Sequence, residues 1–312
     1  MVIFRSIAIA LVCVLCFSAV PAAAYGETGD SIRIATYNLR NYLVMDRYFD
    51  GQWRPAYPKP EAEKTVIRRV ITEVAPDILV LQEIGGAQFL EELRADLERD
   101  GLLYEHAVLM QGLDEERHVA VLSNLLPQDI RQHSDLDFKY FDGRELVKRG
   151  LLEVSFSLPD ATRFKLFALH LKSRFTDRKD DPQSELRRTR EAEACRNRIV
   201  ERTIEIGFEH YLVAGDFNDH PDSSTMRRFQ KRGDLELGSL VEAWDRRGEL
   251  WTYHYAKEAR YELVDGFFAS LAMHALIQGG QGGVVDSPDA LKGSDHRMVF
   301  LDIVAKRAPL AR

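Results

Sequence analysis

Short β-branched and aliphatic runs recur along this chain, interleaved with amphipathic stretches, without the strict strand–helix–strand alternation of a parallel sheet. Candidate strands are Ile32–Tyr37, Ile78–Gln82, Ala120–Ser123, Leu151–Phe156, Phe164–Leu169, Tyr211–Ala214, Leu263–Phe268 and Met298–Val304. Candidate helices are Pro60–Val74, Ala87–Arg99 and Ser184–Ile206. In the first, Pro60 suits an opening turn, and Val66, Val70 and Val74 repeat every four residues. In the second, Leu90, Leu93 and Leu97 share a face and Gly101 is a plausible stop. Mixed element order of this kind predicts an α/β fold in which packed sheets are covered by helices. Three stretches read as loops: Asp46–Lys59 with its aromatic residues, charged Arg174–Gln183 and glycine-rich Gln278–Ser294. No repeat, low-complexity segment or composition break divides the body into two domains.

The N-terminus reads as a secretory signal. Arg5 supplies a positive start, Ile7–Val20 is continuously apolar, and Pro21-Ala22-Ala23-Ala24 offers small residues for cleavage. The apolar run is short for a membrane span. The expected division is a signal over residues 1–24 and one domain over 25–312. The product is secreted or periplasmic, with no stable membrane span, and a monomer by default. Cys13 and Cys16 fall in the signal, which leaves Cys195 alone. The mature chain then has no internal disulfide and depends on a packed core. An inert, partly buried thiol is the expectation for Cys195. The formal charge of −7 disfavours non-specific DNA binding or an architectural role, since phosphate affinity comes largely from Lys and Arg. It leaves room for an enzyme whose acidic residues hold metal.

The residues that could carry chemistry gather at the strand ends. Asn38, Glu83 and His170 come directly after three strands, and Asp216 and Asn218 come just after a fourth. Asp295 and His296 precede the last strand, and Asp265 lies inside an apolar one. Each alone has a plain structural reading: a turn residue for Asn38, a helix cap for Glu83, a satisfied buried histidine for His170 and a self-bonded turn for Asp216 to Asp219. Asp265 is harder to dismiss, because an unpaired carboxylate among apolar residues is costly; His296 would answer it. Together they predict one carboxylate-rich cleft suited to Mg²⁺ or Mn²⁺, which prefer oxygen ligands. Histidines without cysteine partners argue against a structural zinc site. The absence of a Ser or Cys nucleophile motif points to attack by water.

The segments Ile34-Ala35-Thr36-Tyr37-Asn38, Leu81-Gln82-Glu83, Leu169-His170-Leu171-Lys172-Ser173, Ala214-Gly215-Asp216-Phe217-Asn218-Asp219 and Ser294-Asp295-His296-Arg297 resemble, in order, the motifs of the endonuclease/exonuclease/phosphatase superfamily. That superfamily includes deoxyribonuclease I, apurinic-site endonucleases, neutral sphingomyelinases and inositol polyphosphate 5-phosphatases. The resemblance implies a four-layered α/β sandwich: two central, mostly antiparallel sheets flanked by helices, with the site at one end. It implies metal binding by Asn38 and Glu83, with Asp295 contributing directly or through water. His296 resembles the catalytic histidine and Asp265 its orienting carboxylate. Asp216 and Asn218 resemble residues that position water and phosphate or hold a second metal, and His170 one that donates to a phosphate oxygen. It also makes Arg117 to Ser123 the strand leading into the site. Many family nucleases carry a Tyr or acidic residue in mid-chain; Tyr140 to Glu145 occupies that region without a clear match. The disulfides of the secreted deoxyribonuclease I type are absent.

The expected activity is metal-dependent phosphodiester hydrolysis, first as a nuclease. Tyr48, Trp53 and Tyr57 offer stacking surfaces for bases, and Lys172, Arg174, Arg178 and Lys179 offer charges for phosphates. Equally, loop aromatics pack under their own loops and charged loops are commonly just solvated. A phosphoesterase acting on a phospholipid or sugar phosphate is the alternative; an apolar docking hairpin would favour a lipid, and none stands out in the sequence. A catalytically inactive binding domain is a further alternative, disfavoured by the complete set of polar residues. Gly279 to Gly283 lacks the Gly-Lys-Ser/Thr ending of a nucleotide-phosphate loop.

Overall fold

A computed structural model describes residues 31–287 and 289–304. The signal reading of residues 1–24 lies outside the described residues. Two sheets dominate. In chain order their strands are β1 (Ser31–Tyr42), β2 (Ile78–Ile84), β3 (His106–Leu109), β4 (His118–Ser123), β5 (Asp129–His133), β6 (Leu151–Ser157), β7 (Arg163–His170), β8 (Tyr211–Asp216), β9 (Ser239–Leu240), β10 (Ala243–Trp244), β11 (Asp265–Ala269), β12 (Gly282–Val284) and β13 (Val299–Val304). The first sheet runs β10-β12-β13-β1-β2-β4-β3 and the second β9-β11-β8-β7-β6-β5. The β1–β2, β7–β8 and β10–β12 pairs are parallel and the others antiparallel. The principal helices are α1 (Glu61–Val74), α2 (Ala87–Arg99), α3 (Glu185–Arg202) and α4 (Ser224–Gln230).

Alternation along the strands builds the layers, since successive side chains point to opposite faces. Ile34 of β1, Ile78 and Val80 of β2, Leu166 and Ala168 of β7, Leu212 and Ala214 of β8, and Phe267 of β11 share the core between the sheets. The alternate residues Ala35, Tyr37, Leu79 and Leu81 pack outward on Ile67, Val70, Leu90 and Leu93 of α1 and α2. On the opposite side Phe167, Leu169 and Val213 meet Ala192, Cys195 and Ile199 of α3 and Met226 and Phe229 of α4. The result is the four-layered helix–sheet–sheet–helix sandwich. Cys195 is buried in this last layer, and burial pushes its thiol pKa up.

One charged group sits under α3. Glu153 of β6 is fully buried and accepts hydrogen bonds from His133 Nε2 (2.9 Å), Arg202 Nε (2.9 Å) and the Lys165 ammonium. Burial opposes its ionisation, but these three donors win and hold its pKa at about 2.

Several boundaries differ from those predicted. Asp46–Lys59 is not a loop: Met45–Phe49 and Gln52–Tyr57 form an antiparallel hairpin. Its turn is Asp50-Gly51, both at positive φ, a common hairpin signal. Pro60 is the residue before α1, extended at ψ 140°, and not its first turn. The long charged helix ends at Arg202, where Thr203 (φ −129°, ψ −88°) breaks it before a 3₁₀ turn at Ile204–Ile206. Gln278–Ser294 contains β12 and two 3₁₀ turns. The strand predicted from Leu263 begins at Asp265, because Arg260–Glu262 pairs instead with Tyr253–Tyr255.

Candidate active site

The same alternation that fills the core delivers polar groups to its edge. Along β1 the inward positions read Ile34, Thr36, Asn38. Along β7 they read Leu166, Ala168, His170, and along β8 Leu212, Ala214, Asp216. β11 starts with Asp265 before inward Phe267. Register then sets neighbours: His170 pairs with Asp216 and Asp216 with Asp265, so three ionisable groups occupy adjacent positions across the second sheet. Asn38 faces them from the first sheet and donates from Nδ2 to Asp216 Oδ2 at 2.9 Å. Thr36 and Gln82 hydrogen-bond one another just beneath, whereas His170 Nδ1 and Asp265 Oδ1 are buried without a hydrogen-bond partner.

Asp216 is the hub. Its Oδ2 also lies 3.4 Å from His170 Nε2 and 4.0 Å from His296 Nε2, while Oδ1 accepts from the Asn218 backbone N–H at 2.8 Å. Burial, and then the charge of Asp265, raise its pKa above the ordinary carboxylate value. Asn218 adopts a left-handed φ of 54° and ties its side-chain amide to the Leu171 carbonyl at 3.0 Å. Gly215 makes the close packing possible. At φ 149° it lies against β7, where an added Cβ would stand 2.0 Å from the Leu169 carbonyl oxygen.

His296 Nδ1 lies 2.7 Å from Asp265 Oδ2. Burial works against protonation, but Asp265, reinforced by Asp216 and Asp295, pushes the His296 pKa up to about 10. Ser294 fixes the approach, donating to the Asn38 carbonyl at 2.7 Å and accepting from His296 N–H at 3.1 Å. Thr252 Oγ accepts from the Val264 and Asp265 N–H groups at 3.0 Å each, and the Tyr253 ring lies 4.7 Å from the His296 ring. His170 behaves oppositely. Burial first, then the cation Arg149, holds its pKa well below the usual histidine value, so it is neutral near pH 7.

Glu83 reaches the cleft by a backbone irregularity. Strand alternation would send it to the helix side, but the β1–β2 register slips between Asn38 and Tyr42, and Glu83 takes φ 58°. Its Oε2 accepts from the Asn41 N–H at 2.9 Å, leaving Oε1 4.0 Å from His170 Nε2. Arg40 and Asn41 are left-handed too, at φ 47° and 56°, so local strain concentrates opposite Glu83. Asn38 Oδ1 accepts from Arg40 N–H at 2.9 Å, and the Arg40 guanidinium lies 3.5 Å from Asp295.

These groups line one cleft of ≈ 530 Å³, with Glu83, Asp216, Asn218, Asp295 and His296 in its wall. Asp216, Asp265 and His296 present ligand atoms all within 4.8 Å of one another, a spacing compatible with a metal ion. The donor set fits a hard divalent cation, being mainly carboxylate oxygen, and Glu83 Oε1 and Asp295 face the open side. The His296–Asp265 hydrogen bond already uses one member of the tight trio.

The substrate-binding expectations fare differently. The Lys172 ammonium turns onto its own loop, bonding the Ser173 carbonyl at 3.1 Å and the Phe175 carbonyl. Burial, then Arg149, pushes its pKa down to about 8. The strand ends at His170 and the chain turns away there. Arg174 lines the cleft but is committed to Glu262, with both carboxylate oxygens at 2.9 Å. Arg178 pairs with Asp180 and lies over the Tyr140 and Phe141 rings. Tyr140 itself donates to Asp181 at 2.9 Å, and none of Tyr140 to Glu145 lines the cleft. Tyr57 stacks on Phe49, whereas Tyr48 and Trp53 are 65% and 72% exposed. Sequence reading missed Arg40, Phe175, Tyr253, Tyr255 and Arg260, which also line the cleft. The aromatic cluster Trp251-Thr252-Tyr253-His254-Tyr255 was a usable signal, although no spacing rule tied it to His296.

The sequence matches the family model "Endonuclease/Exonuclease/phosphatase family" over residues 35–296. No curated protein sequence is detectably similar to it. Among solved structures, an endonuclease/exonuclease/phosphatase from Bacteroides vulgatus is similar at 18% identity and a TM-score of 0.60, covering 88% of this chain and 99% of that one. Sphingomyelinase C from Streptomyces griseocarneus is similar at 16% identity and TM-score 0.57, covering 88% and 99%. Truncated TDP2 from Caenorhabditis elegans is similar at 16% identity and TM-score 0.57, covering 89% and 99%. At these identities the likeness is one of fold.

Proposed function

This chain belongs to the endonuclease/exonuclease/phosphatase family and is a phosphoric ester hydrolase; on that footing we propose that it is an exported, Mg²⁺- or Mn²⁺-dependent phosphodiesterase, foremost a nuclease. The observation that carries the reading is the convergence on Asp216. One carboxylate oxygen lies within 4.0 Å of Asn38 Nδ2, His170 Nε2 and His296 Nε2, on the wall of an open cleft.

Each residue then has work suited to its surroundings. Asp216, whose proton affinity is raised by burial and held in place by Asn38 and the Asn218 N–H, orients a water and accepts its proton for in-line attack. His296, kept protonated by Asp265, faces the phosphoryl group with Nε2 and stabilises its gathering negative charge. Neutral His170 and the Asn218 side chain position the phosphate. Glu83, Asn38 and Asp295 would hold the metal, with Asp216, Asp265 and His296 as the competing set. The chemistry supplied by a bound cation is polarisation of the phosphoryl oxygen and stabilisation of the leaving oxygen.

Nucleic acid is favoured by the rim. Arg40 stands with Phe175, Tyr253 and Tyr255, combining a cation for phosphates with rings for bases, while Arg260 is paired with Glu258 at 3.1 Å. Tyr48 and Trp53 stand exposed on a separate hairpin. Their hairpin is tied to the rim by Arg47, which donates to the Asn41 carbonyl at 2.6 Å. One observation favours a second reading. Trp53 and Tyr48 on a protruding hairpin, with Phe175 at 80% exposure, also suit the interface of a lipid bilayer, and sphingomyelinase C shares the fold. Assays on plasmid DNA, single-stranded DNA, RNA and sphingomyelin vesicles, with Mg²⁺, Mn²⁺ or EDTA, separate the two. Nucleic-acid cleavage that EDTA stops is expected. Hydrolysis of sphingomyelin alone would transfer the conclusion to the lipid reading, and inactivity on every phosphodiester would end both.

A further inference from the structure

A second pocket, of ≈ 640 Å³, lies between α3 and α4 and shares no lining residue with the cleft. Five cationic side chains line it: Arg196, Arg227, Arg228, Lys231 and Arg232. The one carboxylate among them, Glu193, is divided between Arg190 at 2.9 Å and Arg196 at 3.6 Å. Arg232 has an outside partner in Glu205 at 3.1 Å. Arg228 and Lys231 make no side-chain ion pair among the described residues, and the Nε of Arg228 is buried without a hydrogen-bond partner. This concentration occurs in a chain of net charge −7, so it does not follow from general basicity.

Geometry keeps the cations together. Arg196 is buried, held by the Lys231 carbonyl at 3.1 Å and Asn197 Oδ1 at 2.9 Å, and cannot swing into solvent. Burial, together with Arg228 and Arg232, depresses its pKa despite Glu193. Like charges around the concavity repel one another; Arg227 donates to the Asp222 carbonyl and to Ser224 Oγ, which leaves the Arg228 Nε and the exposed Lys231 ammonium as the donors without a side-chain partner among the described residues. Arginine forks match the oxygens of phosphate two at a time.

We propose that this pocket is a non-catalytic binding site for phosphate-bearing anions, of the class of pyrophosphate or consecutive phosphodiesters. It does not depend on the identity of the hydrolysed substrate. Two sources share the chemistry: free phosphate compounds, and the backbone of a nucleotide chain.

The test is calorimetric titration of inorganic pyrophosphate into the full chain, with EDTA present and salt at about 0.15 M. Saturable binding is expected. Arg228→Glu/Lys231→Glu should weaken it by about tenfold or more, while hydrolysis of a small chromogenic diester by the metal-loaded enzyme stays unchanged. Arg40→Ala, in the cleft, should leave this binding intact. Should the double variant fold poorly, Lys231→Ala, at an exposed position, is expected to lower affinity by roughly threefold. An uncleavable phosphorothioate oligonucleotide then identifies the source. Competition with pyrophosphate assigns the pocket to a nucleotide chain, and lack of competition to free phosphates; both keep the site. No saturable binding, or equal affinity in parent and charge-reversed variants, overturns it.

Discussion

Asp216 and His296 occupy positions that the fold could fill more cheaply with apolar residues, so their replacement should cost activity far more than stability. His296→Ala and Asp216→Ala are each expected to lower kcat by about 10²–10⁴, with thermal unfolding near that of the parent for Asp216→Ala and lowered for His296→Ala, which leaves buried Asp265 without its partner; steady-state hydrolysis of a chromogenic diester and a melting curve check this. Parent-like rates in either variant would remove the proposed roles. Glu153 is the contrasting case, a buried charge with a structural task. Its folded pKa of about 2 lies below the ordinary 4.5, so its contribution is complete above pH 4.5 and drains away as pH falls towards 2. Glu153→Gln leaves Lys165 and Arg202 facing an uncharged amide and should cost about 3–5 kcal/mol at pH 7. Urea unfolding across this pH range should show the parent losing stability steeply and the variant much less; parallel curves would refute the assignment.

Among elements, the β7–β8 pair is the most exacting, because Gly215 lets the strands meet where His170 and Asp216 sit side by side. Gly215→Ala is expected to force the strands apart, costing more than about 1 kcal/mol and most of the activity. Melting temperature and kcat, measured together, should both fall. The hairpin Met45–Phe49/Gln52–Tyr57 makes the opposite prediction. Tyr48→Ala/Trp53→Ala should leave melting and small-diester hydrolysis unchanged while weakening single-stranded oligonucleotide binding by roughly 1–3 kcal/mol per base stacked; fluorescence anisotropy reads this. The strand ends carrying Asn38, His170 and Asp216 were legible in the sequence because alternation in a half-apolar strand is a local property. So was their convergence, once the motif order suggested a known family. Glu83 was legible as a candidate, but its route into the cleft was not, since a bulge depends on how two strands register. The commitment of Arg174 to Glu262 was hidden for a similar reason: the partners are distant in sequence and charge alone does not pair them. The Asp50-Gly51 turn, by contrast, was a readable hairpin signal passed over because its flanks mix aromatic and charged residues.

Across the whole molecule, the oxygen-rich cleft implies that removal of divalent ions silences hydrolysis. EDTA should abolish turnover and Mg²⁺ or Mn²⁺ restore it. Binding should also raise the melting temperature, by mass action worth about 2.7 kcal/mol at a hundredfold excess over Kd; undiminished activity in EDTA would contradict the metal assignment. The two sheets divide the groups proposed to react between them, Asn38 and Glu83 on one, His170, Asp216 and Asp265 on the other. A folding intermediate with only half of the sandwich formed would therefore be chemically silent, however much strand content it displayed. Turnover switches on only at the final docking, which makes a hydrolysis assay a stricter witness of native assembly than any spectroscopic count of secondary structure.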